Sequence, residues 1–378
     1  MKRVPISPRK NWQHKVEEIG FSYHSTGSQY WQENAYYHFT LNEIEVLETA
    51  SNELHGMCLH AVQHIIDNDL FDEFKIPENM RRIIRSSWDN DYPSIYGRFD
   101  LLYDGHNPPK LLEYNADTPT SLFESAVVQW FWLEETFPNA DQFNSIHDRL
   151  LAKWKELKQY LHNGTLYFAA VEDSQEDLVT VEYLRDCAEQ AGIKTAFIPI
   201  GDIGWEEFTQ QFVDMEMNGI KNCFKLYPWE WMAHEEFAEP LVNTHAQVYW
   251  MEPAWKVLLS NKAILALLWR LFPNHPNLLP AYYSAEKLNG NFVKKPFFSR
   301  EGANITIVEN NTMKEFSDGD YGDEGYVFQQ YYKLQNHFGP LPVIGSWMID
   351  GESAGIGIRE SEGLITNNHS RFIPHVVE

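Results

Sequence analysis

Tyr96-Gly-Arg-Phe-Asp-Leu-Leu-Tyr103, followed after a polar stretch by Leu111-Leu-Glu-Tyr-Asn-Ala-Asp-Thr-Pro-Thr-Ser121, is where the architecture of this chain is written most plainly. Both halves alternate with period two, and the intervening Asp104-Gly-His-Asn-Pro-Pro-Lys110 carries the Asp-Gly and Pro that reverse a chain. The pattern predicts an antiparallel hairpin. Residues two apart in a strand share a face, so Arg98 and Asp100 point one way and Phe99 and Leu101 the other, while Glu113 and Asn115 oppose Tyr114. One wall of the hairpin then holds an arginine, two carboxylates and an amide. Hard oxygen donors of this kind suit Mg²⁺, which is commonly shared between a few side chains and substrate phosphates. A solvated strand face with a cross-strand ion pair would give the same pattern, so other segments must separate the two readings.

The second constellation spans 292 to 308. Phe292-Val-Lys-Lys295 reads as a strand that runs into Pro296-Phe-Phe-Ser-Arg-Glu-Gly-Ala-Asn304 and returns through Ile305-Thr-Ile-Val308. A lysine at a strand end beside a loop with Ser299, Arg300, Gly302 and Asn304 offers a fixed cation next to backbone amides that can close over phosphates. Lys262 adds a cation where Ser260-Asn261 is expected to cap a helix over 262–271, and Arg359, leaving the strand from Ala354, adds another.

Such cations are informative in a chain with 54 acidic and 30 basic residues and a net charge of -24. That balance disfavours nucleic acid and anionic membrane as partners and attracts cations. With 378 residues, 43% of them hydrophobic and 15% aromatic, the chain exceeds one core and can fill two or three. No run of some 18 apolar residues and no apolar leader is present, so the expected location is the cytoplasm. Cys58, Cys187 and Cys223 are too scattered for a disulfide framework and read as buried thiols. His60 and His64 share a helix face without a third ligand to complete a zinc pattern, and no Walker loop, nucleophile elbow or dinucleotide fingerprint occurs.

Along the chain, Thr40-Leu-Asn-Glu43 is a capping box that predicts a long amphipathic helix to about Asp67, and Arg81–Arg85 falls on a shorter one. Helices are expected over 121–136 and 143–161. Leu166–Val171, a helix over 176–191 and Thr195–Ile200 form a βαβ unit with parallel pairing. Further strands are expected at 326–332, 343–349 and 354–359.

In combination, Arg98-Phe-Asp100, Glu113-Tyr-Asn-Ala-Asp-Thr-Pro-Thr-Ser121, Glu252-Pro-Ala-Trp255 with Asn261-Lys262, Lys295-Pro-Phe-Phe-Ser-Arg300-Glu-Gly302, Gly345-Ser-Trp347 and Gly355-Ile-Gly-Ile-Arg359 resemble the synthetase domain of the glutathionylspermidine synthases, and more closely the stand-alone acid-amine ligase branch of that family. The resemblance covers nearly the whole chain. It implies an α/β (α+β) ATP-grasp fold with an inserted Rossmann-like βαβ substrate domain, divided as 1–162, 163–250 and 251–378. It further implies two Mg²⁺ ions on Asp100, Glu113 and Asn115, ATP phosphates on Lys262, Lys295, Arg300 and the backbone around Gly302, and adenine against Gln329, Gln330, Tyr331 and Tyr332. Arg98 would stabilise the transferring phosphoryl group with help from Arg359, and Thr118 falls where a small hydroxyl residue meets the acid substrate.

The activity that the resemblance implies is that of an ATP-dependent ligase joining a small-molecule or peptide acid to an amine, a polyamine among the candidates. The bifunctional members carry an amidase domain for which this chain has no room, so hydrolysis of the conjugate is not expected. Two other readings stand beside the ligase: an ATP-grasp ATPase or phosphotransferase, and a nucleotide-binding regulatory protein.

Overall fold

In the computed structural model, which describes residues 1–25, 29–334, 339–367 and 370–378, the hairpin forms as the alternation requires. Tyr96–Leu102 pairs antiparallel with Lys110–Asn115, with Arg98 opposite Asn115 and Asp100 opposite Glu113. Leu111 faces Leu101 while Glu113 faces Asp100, which leaves Leu112 as the extra residue of a β-bulge. The hairpin is one edge of a five-stranded antiparallel sheet in the order Arg371–Ile373, Glu352–Ser361, Leu341–Ile349, Tyr96–Leu102, Lys110–Asn115. Residues far apart in sequence thus share one surface.

Behind this sheet lies the helix Leu41–Asp67, opened by the expected capping box: the Glu43 N–H donates to Thr40 Oγ1, and the Thr40 N–H donates to Glu43 Oε2 at 2.9 Å. Its buried stripe includes Leu47, Leu54, Cys58, Val62 and Ile65. Each such side chain contributes roughly 1.5–3 kcal/mol when fully buried. Ser51 on the helix meets Ser346 on the sheet hydroxyl to hydroxyl at 2.7 Å. On the core side of the hairpin, Phe99 stacks on Tyr114 with ring centroids 3.9 Å apart.

The βαβ unit is part of a four-stranded parallel sheet, ordered Tyr249–Met251, Asn222–Lys225, Leu166–Ala170, Thr195–Pro199. The chain goes first to one side of Leu166–Ala170 and later to the other, so this strand and Asn222–Lys225 flank a topological switch point. A third sheet, antiparallel and five-stranded, runs Ala281–Tyr282, Tyr326–Gln330, Phe292–Pro296, Thr306–Glu309, Thr312–Phe316. Val376 of the last strand pairs with His38, tying the end of the chain back to its beginning. Cys58, Cys187 and Cys223 are free and buried.

Three elements differ from expectation. The 121–136 helix opens with a π turn, Glu124–Val128, before its α-helical part Gln129–Thr136. The 143–161 helix is confined to Ile146–Leu157. Lys262 lies just before the helix, which is Ile264–Leu271, and its N–H is bonded to Phe297 O at 2.8 Å. Ser260 caps nothing there; its hydroxyl accepts the N–H groups of Ala116 at 3.3 Å and Asp117 at 2.9 Å, and so fixes the turn that leaves the hairpin.

Candidate active site

The polar face of the hairpin forms one wall of a cavity of about 740 Å³, between the antiparallel sheets and the ends of the parallel strands. The candidate site residues from the sequence all line it: Arg98, Asp100, Glu113, Asn115, Thr118, Lys262, Lys295, Arg300, Gly302, the 329–332 run and Arg359.

On that wall, Arg98 clamps Asp100 with two parallel bonds, Nε to Oδ1 at 2.7 Å and Nη2 to Oδ2 at 3.2 Å, and its Nη1 donates to Thr120 O at 2.6 Å. Arg359 reaches the same carboxylate from Glu352–Ser361, two strands away in the same sheet, Nη2 to Oδ2 at 2.8 Å. Burial works against the Arg98 charge, but Asp100 and then Glu113 outweigh it and raise its pKa. The side chain can lie flat across the sheet because position 345 is glycine; a Cβ there would come within 2.8 Å of Arg98 Cδ.

Across the register pair, Glu113 accepts Asn115 Nδ2 at 3.1 Å and pairs with Lys262 Nζ at 3.0 Å. Burial alone would push its carboxyl up, yet Lys262 and Lys295 hold it well below the usual carboxylate range. Lys295 is anchored by Gln329 Oε1 and by the carbonyl of Leu112, both at 2.8 Å, so the bulge residue presents its backbone to the cation. Gln329 is fixed in turn by donating to Leu111 O at 2.8 Å. Desolvation draws the Lys295 pKa down to about 8, with Lys262 adding to the fall and Glu113 opposing it.

The 299–304 loop is docked over this pair. Lys262 Nζ donates to Ser299 O at 2.6 Å, and Ser299 Oγ, which lines the cavity, is buried with no hydrogen-bond partner among the described residues. Arg300 bridges the loop to both other walls, donating to Thr118 Oγ1 and to Glu230 Oε1, each at 2.6 Å, with its guanidinium 5.6 Å over the Trp231 ring. Gly302 takes φ +72, and a Cβ on it would meet Thr366 O at 2.5 Å. The remaining wall is apolar: Leu102, Leu334 and Val343 pack with Leu112 and Tyr332, and Tyr331 packs beside Ile305, Ile307 and Ile365.

A profile of the family described as glutathionylspermidine synthase preATP-grasp matches residues 3–378. The chain belongs to this family. It is 44% identical over 392 residues to the "putative acid--amine ligase" of Haemophilus influenzae, with 99% of each chain covered. It is 26% identical to the bifunctional glutathionylspermidine synthetase/amidase of Escherichia coli, covering 97% of this chain and 63% of that one. With the trypanothione synthetase of Crithidia fasciculata the identity is 27%, over 85% of this chain and 53% of the other. The chain therefore spans one relative in full and only part of the other two. Among solved structures, a glutathione synthetase-like effector from Globodera pallida superposes with a TM-score of 0.57 at 9% identity, covering 90% of this chain and 88% of that one. The fold is the mixed α/β ATP-grasp arrangement, and the family and its named relatives indicate a ligase of the glutathionylspermidine synthase type.

Several lining residues of this family member carry no mark in its sequence that singles them out. Val171 and Ser174–Asp177 follow the strand Leu166–Ala170, and Leu226–Pro228 follow Asn222–Lys225, so both groups enter the cavity at the carboxyl ends of strands flanking the switch point. The βαβ pattern was the signal that could have found them. Tyr23 and Tyr30 have no local signal, since only the packing of distant segments brings them to the site, as it brings Glu230 to Arg300. Among the described residues no group of three or more His, Cys, Asp or Glu side chains is arranged as a metal site.

Proposed function

We propose that the chain joins a carboxylic acid to an amine at the expense of ATP, through an acyl phosphate, with Mg²⁺ held by Asp100, Glu113 and Asn115. The observation that carries this reading is the carboxylate of Glu113, kept ionised between Lys262 and Lys295 and facing the Arg98–Asp100–Arg359 group across one register pair. Phosphoryl transfer is chiefly positioning and charge neutralisation, so hard oxygen donors, two lysines and arginines are the parts required, with no side-chain nucleophile.

The residues fit a nucleotide and its metal. Asp100, Glu113 and Asn115 present oxygens on one wall, and the unpartnered Ser299 Oγ and the crowded Gly302 cradle border the lysines. Bound Mg²⁺ would draw charge from the phosphate oxygens. Lys262 and Lys295 would hold the phosphates, Arg98 would neutralise charge that develops on the transferring group, and Arg359 would orient Asp100. Thr118 would position the acid, and Arg300, bonded to it, would reach the phosphates from the loop. The apolar slot of Leu102, Leu112, Tyr332 and Val343 beside Gln329–Tyr331 has the character of a base-binding site. The docked 299–304 loop would keep water from the acyl phosphate.

The relatives' names join glutathione with spermidine, and a net charge of -24 favours a cationic acceptor. Glutathione as the acid and spermidine as the amine are the first probes. ADP release that requires both, with a hydroxamate formed when hydroxylamine replaces the amine, is the expected result. ADP release without any acid would instead make the protein an ATPase, and nucleotide binding without turnover a regulatory module.

A further inference from the structure

The cavity has an acidic corner that the phosphoryl-transfer groups leave unused. Glu124 lies behind its wall, fully buried, three residues beyond Ser121, whose φ of 65 places a non-glycine residue in the left-handed region. It starts the π turn Glu124–Val128, a distortion that often marks functional positions. Its Oε1 accepts two phenols, Tyr23 at 3.0 Å and Tyr30 at 2.8 Å, and both tyrosines line the cavity. Its Oε2 is buried with no hydrogen-bond partner among the described residues. Buried polar atoms are as a rule hydrogen-bonded, so an oxygen left without a donor asks for a role. Here one oxygen is joined to the cavity by two hydroxyls, and the other meets no donor that would hold the carboxylate as an anion.

We propose that Glu124 is a proton-holding residue of the ligation step, acting through Tyr23 and Tyr30 on the amine bound in the cavity. This rests on the ligase reading above. An amine arrives as an ammonium ion and has no lone pair for attack. A tyrosine oxygen takes one ammonium proton as its own hydroxyl proton passes to Glu124 Oε1, leaving a neutral amine, an intact phenol and a neutral carboxylic acid. The nitrogen then bonds to the acyl carbon, the carbon–oxygen bond to phosphate breaks, and the second proton lost from nitrogen leaves with the phosphate. Glu124 returns its proton to solvent by the same route after the amide departs.

The surroundings suit a group that exchanges protons near neutrality. Burial, then the charge of Glu176, pushes the Glu124 carboxyl up to about 7, against the two phenol hydrogen bonds that favour its anion. The titratable and charged groups facing it are Tyr23 and Tyr30 from the N-terminal segment, Glu176 from the helix Gln175–Gln190, and Arg359, whose charge reaches Tyr30 from the central sheet. Proton uptake by Glu124 also relieves its repulsion from Glu176.

The test compares wild type with Glu124→Gln, which preserves shape and removes the titration. With glutathione, Mg-ATP and spermidine, the variant should lose on the order of 10²-fold in turnover and the acid limb of its pH profile. Hydroxylamine, which attacks as a neutral molecule, should form hydroxamate at the wild-type rate, and Mg-ATP affinity should be unchanged. Equal losses with both nucleophiles, or a retained acid limb, would overturn the proposal. If wild type forms no hydroxamate, the ligase reading fails by itself, and infrared titration decides the proton-holding role. A carboxylic acid band that grows as the pH falls through about 7 and is missing from Glu124→Gln supports that role; no such band ends it.

Discussion

Asp117 and Lys225 form an ion pair of 2.9 Å in which neither side chain has any exposed surface. Asp117 belongs to the turn that leaves the carboxylate-bearing wall and also accepts the Trp229 N–H at 3.0 Å, while Lys225 ends a parallel strand and donates to Tyr227 O at 2.8 Å. The pair thus bolts the hairpin to the parallel sheet at the cavity's edge. Removing one partner leaves an uncompensated buried charge, which typically costs about 3–5 kcal/mol. Lys225→Met should lower the urea midpoint accordingly, and adding Asp117→Asn should restore part of the loss. A single variant as stable as wild type would show that the pair is solvated in solution.

Gly345 and Arg98 make a second dependence. Alanine at 345 would place its Cβ 2.8 Å from Arg98 Cδ, and the guanidinium, tied to Asp100 and Thr120, has no slack to give. Gly345→Ala should therefore mimic Arg98→Ala, with a fall in kcat of about 10²-fold or more and little change in Mg-ATP affinity. Arg98→Lys should recover little, because a point charge lacks the planar fork. Loss of affinity at constant kcat in these variants would make Arg98 a binding group instead.

For Lys295 the folded pKa of about 8 lies below the ordinary 10.5. Between those values the unfolded chain holds more protons, so this residue's burial costs less stability as the pH rises through about 8. Phosphate binding runs the other way, since it needs the ammonium. The Mg-ATP Kd should rise above that pH by up to about tenfold per unit, and Lys295→Arg should remove the dependence. Calorimetry at several pH values checks both the slope and the proton uptake that must accompany it.

Arg300 is held by Glu230 and Thr118, so Glu230→Gln should release the 299–304 loop. Faster proteolysis within the loop is the expected result, with protection by Mg-ATP smaller than in wild type. Equal cleavage in both proteins, with and without nucleotide, would remove the loop's role as a cover.

The alternation of 96–103 and 111–116 was enough to place Arg98, Asp100, Glu113 and Asn115 on one face, because a strand's period of two depends only on local backbone geometry. The capping box at Thr40 was legible for the same reason: both of its hydrogen bonds span three residues. Lys262 falls just before the helix rather than on it, and its tie to Phe297 O, on a segment 35 positions away, leaves no mark in the local sequence. The bulge at Leu112 was invisible as well, although it aims the carbonyl that anchors Lys295.

By itself, then, the sequence determined most of the elements, the charge and the kinds of side chain available to the chemistry, all of which depend on local periodicity and residue type. The tertiary structure alone decided which of them meet. It brought Arg359 to Asp100, Arg300 to Glu230 and two N-terminal tyrosines to Glu124, since burial sets those partners and their pKa values through distances that no spacing along the chain records.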